Sequence, residues 1–175
     1  MRRFVLGIAF GLMGLFVNVA AADGPMVRWD RVEGFVATDL ASYTIGPWVV
    51  SPRWRSTGGG RVMLNLETGF ISIRIAGVSW ANHYGNAPIG SPTPLPGVQV
   101  KGTVACDSTT RYGDFSYVDT PLLAAMEGDL FFEGWLDLPA ACRERPAELI
   151  FLVRQAGSGG QAETILLYGA GRTIQ

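Results

Sequence analysis

From Phe35 onward the apolar residues recur at every second position, in short runs separated by Gly, Pro, Asn and Asp. That is the period of strands and not of helices. The clearest pair of runs has Val62, Leu64 and Leu66 on one face of a first arm, a turn through Glu67, Thr68 and Gly69, and a return arm with Ile71, Ile73 and Ile75 facing the same side. Asn65, Ser72 and Arg74 then point away, as in a half-buried antiparallel hairpin whose turn glycine supplies a positive φ. Val98, Val100, Gly102, Val104 and Cys106 form the inner face of a further strand, with Gln99, Lys101 and Thr103 outward. Additional strands are predicted over Phe35–Leu40, Trp48–Val50, Phe115–Val118, Asp129–Leu138, Glu148–Arg154 and Thr164–Tyr168. The Glu148–Arg154 run is apolar on both faces, which predicts a central strand covered on both sides. Pro121–Met126 reads as a single turn of helix ended by Gly128, with Leu122, Leu123 and Met126 on one face. About eight short strands spaced by turns predict an all-β fold, a two-sheet antiparallel sandwich of immunoglobulin-like or jelly-roll-like form, with a β-barrel as the alternative.

Ahead of the strands, Arg2 and Arg3 precede an uncharged apolar run from Phe4 to Val17, and Ala20, Ala21 and Ala22 follow it. This is the pattern of a secretory signal peptide over residues 1–22, with a mature chain from Asp23. The rival reading is a membrane anchor, but 14 uninterrupted apolar or Gly positions fall short of the roughly 20 that a spanning helix needs. No Cys lies near the cleavage site to carry a lipid. The remaining residues, 23–175, are the size of one domain. Without Arg2 and Arg3 the mature chain has 12 basic residues against 15 acidic, a net charge of −3. A clear positive excess, which nucleic-acid or anionic-membrane binding requires, is absent. Export also sets the redox state. Cys106 and Cys142 are the only cysteines, and in an oxidising compartment they are expected to form one disulfide, since their spacing resembles neither a redox CxxC nor a zinc site.

Candidate chemistry is sparse. His83 is the only histidine and has no GxSxG elbow to accompany it; with Tyr84 it sits in a long Gly- and Pro-rich stretch, residues 81–97. The predicted Asp129–Leu138 strand presents Asp129, Phe131, Glu133, Trp135 and Asp137 on its outer face. Successive acids there are roughly 13 Å apart, beyond the roughly 5 to 9.5 Å of a glycosidase pair. The stripe could instead form a stacking platform for sugar, on Trp135 or Phe131, with carboxylates such as Glu133 accepting from hydroxyls, or its aromatics could pack beneath a loop or against the edge of the second sheet. Arg53, Trp54, Arg55 and Arg61 are the densest basic cluster, suited to a carboxylate, a phosphate or a protein surface, or else a solvated loop with Trp54 tucked against the sheet. Asp107, Asp114 and Asp119 supply oxygens of the kind calcium takes, at a spacing that fits no known calcium loop. No metal site and no cofactor is implied.

Between Val98 and Arg154 the chain resembles a group of small, uncharacterised secreted bacterial proteins. The likeness rests on TVACD (Thr103–Asp107), DTP (Asp119–Pro121), the step Gly128–Asp129, LPAAC (Leu138–Cys142), Pro146 and FLVR (Phe151–Arg154). It implies a paired Cys106 and Cys142 and an all-β fold, and no activity, since none is established for the group. The aromatic closing segment common after the FLVR-like strand is replaced here by Gly157–Gly160, with Tyr168 the nearest aromatic.

These readings together lead to an exported, periplasmic or extracellular, non-enzymatic β domain that binds or scaffolds an envelope protein, an extracellular protein or a glycan. A carbohydrate-binding module that stacks sugars on Trp135 and Phe131, or on Trp54 and Tyr84, and a hydrolase whose acids converge only in three dimensions, are the alternatives.

Overall fold

The computed structural model describes residues 24–34, 44–51, 54–56, 59–80, 99–106, 116–126, 128–157 and 162–175. The expected signal segment, the Phe35–Leu40 strand, Arg53, Asp107, Asp114 and the 81–97 stretch with His83 and Tyr84 lie outside them. In chain order the strands are β1 (Met26–Gly34), β2 (Thr44–Ile45), β3 (Trp48–Val50), β4 (Trp54–Ser56), β5 (Gly60–Asn65), β6 (Phe70–Ile75), β7 (Val78–Trp80), β8 (Val100–Ala105), β9 (Tyr117–Leu122), β10 (Ala124–Met126), β11 (Asp129–Trp135), β12 (Ile150–Ala156) and β13 (Ala162–Ile174). A short helix, α1 (Ala140–Glu144), and a 3-10 turn, Pro146–Glu148, precede β12. Among the described residues no helix is long and apolar enough to cross a membrane.

The fold is all-β, as the alternation predicts, but the strands do not divide into the two facing layers of the expected sandwich. One antiparallel sheet runs β10-β11-β6-β5-β1-β13-β12-β8-β9 and curls into a half-barrel. β3 adds to β13 in parallel and carries β2. β4 and β7 form a separate two-stranded sheet. The ends of the long path, β9 and β10, are consecutive in sequence with only Leu123 between them. One kinked segment therefore pairs with β8 through its first half and with β11 through its second.

The curl lets strands that are not neighbours share one core. Val27 and Trp29 of β1, Val62 and Leu64 of β5, Ile71 and Ile73 of β6, Val104 of β8 and Phe151 and Val153 of β12 pack in a single buried cluster. A Cβ added at Gly102 of β8 would stand 2.7 Å from Ile73 Cδ1 on β6, so the two faces touch across the interior. β12 is covered on both sides, as its double apolar pattern requires: Phe151 and Val153 enter the main core, and Leu152 joins a second cluster with Trp48, Val50 and Ile165.

Five local readings change. Pro121–Met126 is extended, not helical; Leu123 is buried at the kink, and the Thr120 hydroxyl accepts the Gly102 N–H at 3.0 Å where the β8/β9 register shifts. Asn65 is buried rather than outward because its Oδ1 accepts the Glu67 and Thr68 amides at 3.0 and 2.8 Å, closing the hairpin turn. Thr103 faces outward from β8 but is buried, bonded to Asp119 of the neighbouring β9 and to Arg154 of β12. β1 was not anticipated, because Asp30 and Arg31 interrupt its alternation, and β13 continues past Tyr168 through a glycine-rich run. Gly169 allows that continuation: a Cβ there would lie 2.6 Å from Trp29 Cδ1.

Candidate ligand-binding face

The inner residues of β11 fix what its outer face shows. Leu130 and Leu136 are buried and Phe132 packs against the core, so Asp129, Phe131, Glu133, Trp135 and Asp137 all face solvent, as predicted. Trp135 is 73% exposed and Phe131 40%, and no loop among the described residues covers them. Single exposed apolar side chains are ordinary, whereas aromatics aligned along one strand among polar groups are the usual makeup of a binding surface.

Pairing with β6 sets each outer residue beside a partner. Trp135 is in register with Phe70, and the rings meet edge to face at 5.4 Å. Glu133 is in register with Ser72 and Phe131 with Arg74. The Ser72 hydroxyl and the Arg74 guanidinium both donate to Glu133 Oε1, at 3.1 and 2.8 Å. The Arg74 hydrogen bond foremost, then the Ser72 bond and the Arg74 charge, hold the Glu133 carboxyl below the ordinary glutamate value. The sheet continues into β5, where Arg61 lies in register with Arg74. Asp30, Arg61, Arg74, Asp129, Phe131 and Glu133 line an open groove of about 840 Å³ over this face. Asp129 accepts the Gly77 amide at 2.9 Å, and Asp30 accepts from Arg28 at 3.1 Å. The result is a ring-stacking surface beside a row of hydrogen-bond donors and acceptors.

Of the basic cluster, Trp54 and Arg61 are placed in separate surroundings. Trp54 is buried in the main core, paired through β4 with Trp80 of β7. Its ring is therefore unavailable as a stacking surface. Arg55 lies in β4, and Arg61 lines the groove. The calcium reading also loses a member, since Asp119 accepts from both Arg154 and Thr103. Among the described residues no group of three or more His, Cys, Asp or Glu side chains could hold a metal ion.

Cys106 and Cys142 are disulfide-bonded and fully buried, tying the end of β8 to α1. Arg143 of that helix donates to the Leu66 carbonyl at 3.1 Å and so reaches the hairpin turn. A second polar cluster was not anticipated: Arg154, in the outer layer of β12, is 1% exposed and bonds Thr103 and Asp119. Its signal was present in the FLVR run, because a charge on a strand covered on both faces must be supplied with partners.

Compared with known proteins, the chain matches no family model, no curated protein and no solved structure, so the chemistry of this face is what carries a functional reading.

Proposed function

We propose that this protein is exported and non-enzymatic, and that it binds a glycan on the outer face of β11 and β6. The observation that supports this is the solvent-facing Trp135 ring beside Phe70, on the same face as Phe131 and the Arg74–Glu133 pair. Sugar rings offer an apolar face to an indole and a rim of hydroxyls to such donors and acceptors. The hydrolase alternative receives less support. Asp129 and Glu133 are four positions apart on one strand, roughly 13 Å, and a glutamate held ionised by arginine is poorly suited to donating a proton. Export is supported by the Arg2–Ala22 pattern and by the disulfide; the exported chain should have an intact mass that begins within a residue or two of Asp23.

The test is retention of the protein in gels containing soluble polysaccharides. Trp135→Ala should weaken retention at least tenfold, since truncating an aromatic anchor costs about 2 kcal/mol or more. Val49→Ser, at an exposed apolar position on β3, should leave it unchanged. Wild-type protein that no glycan retards would refute the proposal.

A further inference from the structure

Building on the glycan reading, we infer that the groove selects acidic sugars and that Arg61 takes the ligand's carboxylate. Arg61 and Arg74 stand in register on adjacent strands, both facing outward. Like charges placed directly opposite, with Cβ atoms about 4.5 to 5.5 Å apart, repel one another. Glu133 relieves Arg74, through the 2.8 Å bond. Nothing relieves Arg61: among the described residues no ion pair or hydrogen bond reaches its guanidinium.

None of the acids of the groove lies within ion-pair distance of this cation, and each has a partner of its own. Glu133 is held by Arg74 and Ser72, Asp30 by Arg28, and Asp129 by the Gly77 amide. What remains is a planar five-donor fork, suited to bidentate capture of a carboxylate. Phe131, in register with Arg74, puts an exposed ring two strands away from Arg61, across β6, at roughly 10 Å between backbones. An apolar ring face and a carboxylate on the same small unit describe a uronic acid. An acidic peptide shares the carboxylate but has no rigid ring face to lay on Phe131 and Trp135.

Affinity gels containing polygalacturonate, a neutral galactan or poly-L-glutamate separate these cases, using the whole exported chain. Wild type should be retained by polygalacturonate at least tenfold more strongly than by the neutral polymer, and the difference should shrink as salt is added. Arg61→Gln should bring the acidic polymer down to the neutral level, and Arg61→Lys should restore part of the preference by supplying charge without the fork. Arg61 is exposed and makes no ion pair among the described residues, so an unchanged urea midpoint will show that these variants fold. If Trp135→Ala abolishes retention while Arg61→Gln leaves the acidic-to-neutral ratio unchanged, the acidic-sugar inference fails and the glycan reading stands. If poly-L-glutamate is bound as tightly as polygalacturonate, the sugar ring is not being read and the inference is overturned in favour of an acidic peptide. No retention of wild type by any of the glycans overturns both.

Discussion

The guanidinium carbon of Arg154 lies 3.5 Å from the centroid of the Trp48 ring. The same guanidinium is 5.3 Å from the Tyr117 ring, and its Nε donates to Thr103 Oγ1 at 2.8 Å. Trp48 and Tyr117 meet edge to face at 4.9 Å. Burial pulls Arg154 below the ordinary arginine value, and the hydrogen bond and charge of Asp119 oppose the shift. The cluster thus joins Trp48 of β3 and Tyr117 and Asp119 of β9 to Arg154 on the outer face of β12, through one compensated buried charge.

Removing the arginine should be costly because Asp119 and Thr103 lose their shared donor. Arg154→Ala is expected to destabilise by about 3 kcal/mol, near the low end for a broken buried pair, since Asp119 keeps 23% exposure. Replacing both charges, with Arg154→Met and Asp119→Leu together, should cost less than the two single changes added. Urea unfolding of the four proteins measures this, and strictly additive losses would contradict the coupling.

The disulfide closes a loop with a sequence separation of 36. On the chain-entropy account its removal by Cys106→Ser with Cys142→Ser costs about 4 kcal/mol. The double variant should unfold at much lower denaturant, and reduction of the wild type should reproduce the loss. Titration of the native protein that counts two free thiols would show the bond to be missing.

Glu133 predicts a specific pH dependence. Its folded-state pKa lies below the ordinary value, so it takes up protons less readily in the folded than in the unfolded chain. The stabilisation is present above the ordinary glutamate range and is lost as pH falls through the folded-state pKa. Compared with Glu133→Gln, the wild type should therefore hold a stability advantage at neutral pH that disappears in acid. A difference between the two proteins that does not change with pH would exclude the Arg74 link as its source.

Two glycines separate backbone preference from steric fit. Gly69 has φ +74°, and a Cβ there would stand 2.1 Å from the Leu136 carbonyl oxygen, which follows β11. Gly59 has φ +76° with nothing within 4 Å. Gly59→Ala should cost only the left-handed penalty of about 1 kcal/mol, while Gly69→Ala should cost about 2 kcal/mol or more. Equal losses would mean that the hairpin turn yields freely to the clash.

Much of the local structure was legible because alternation is a property of a few adjacent residues. It identified the β5–β6 hairpin, the solvent face of β11 down to Trp135 and Phe131, and β12 as a strand covered on both sides. It failed where the pattern was broken by charge or glycine. Asp30 and Arg31 concealed β1, and the glycine run after Tyr168 concealed the length of β13 until Gly169 was seen beneath Trp29. It also misread Pro121–Met126, whose apolar spacing suits a helical turn as well as a kinked strand.

Strand order was not legible, because no local pattern specifies which distant strand will be a neighbour. Glu133 meets Ser72 and Arg74 across separations of 61 and 59 residues, and Arg61 enters the same groove only because β5 pairs with β6, which pairs with β11. The same long-range packing buried Trp54, in line with the reading that tucked it against the sheet and against the one that offered it to a ligand. The sequence by itself therefore determined which residues alternate, which face of a strand is polar, and that two cysteines were available to pair. Tertiary structure alone decided the curl of the sheet and the company each outward side chain keeps, because those depend on the closure of long chain segments around one shared core.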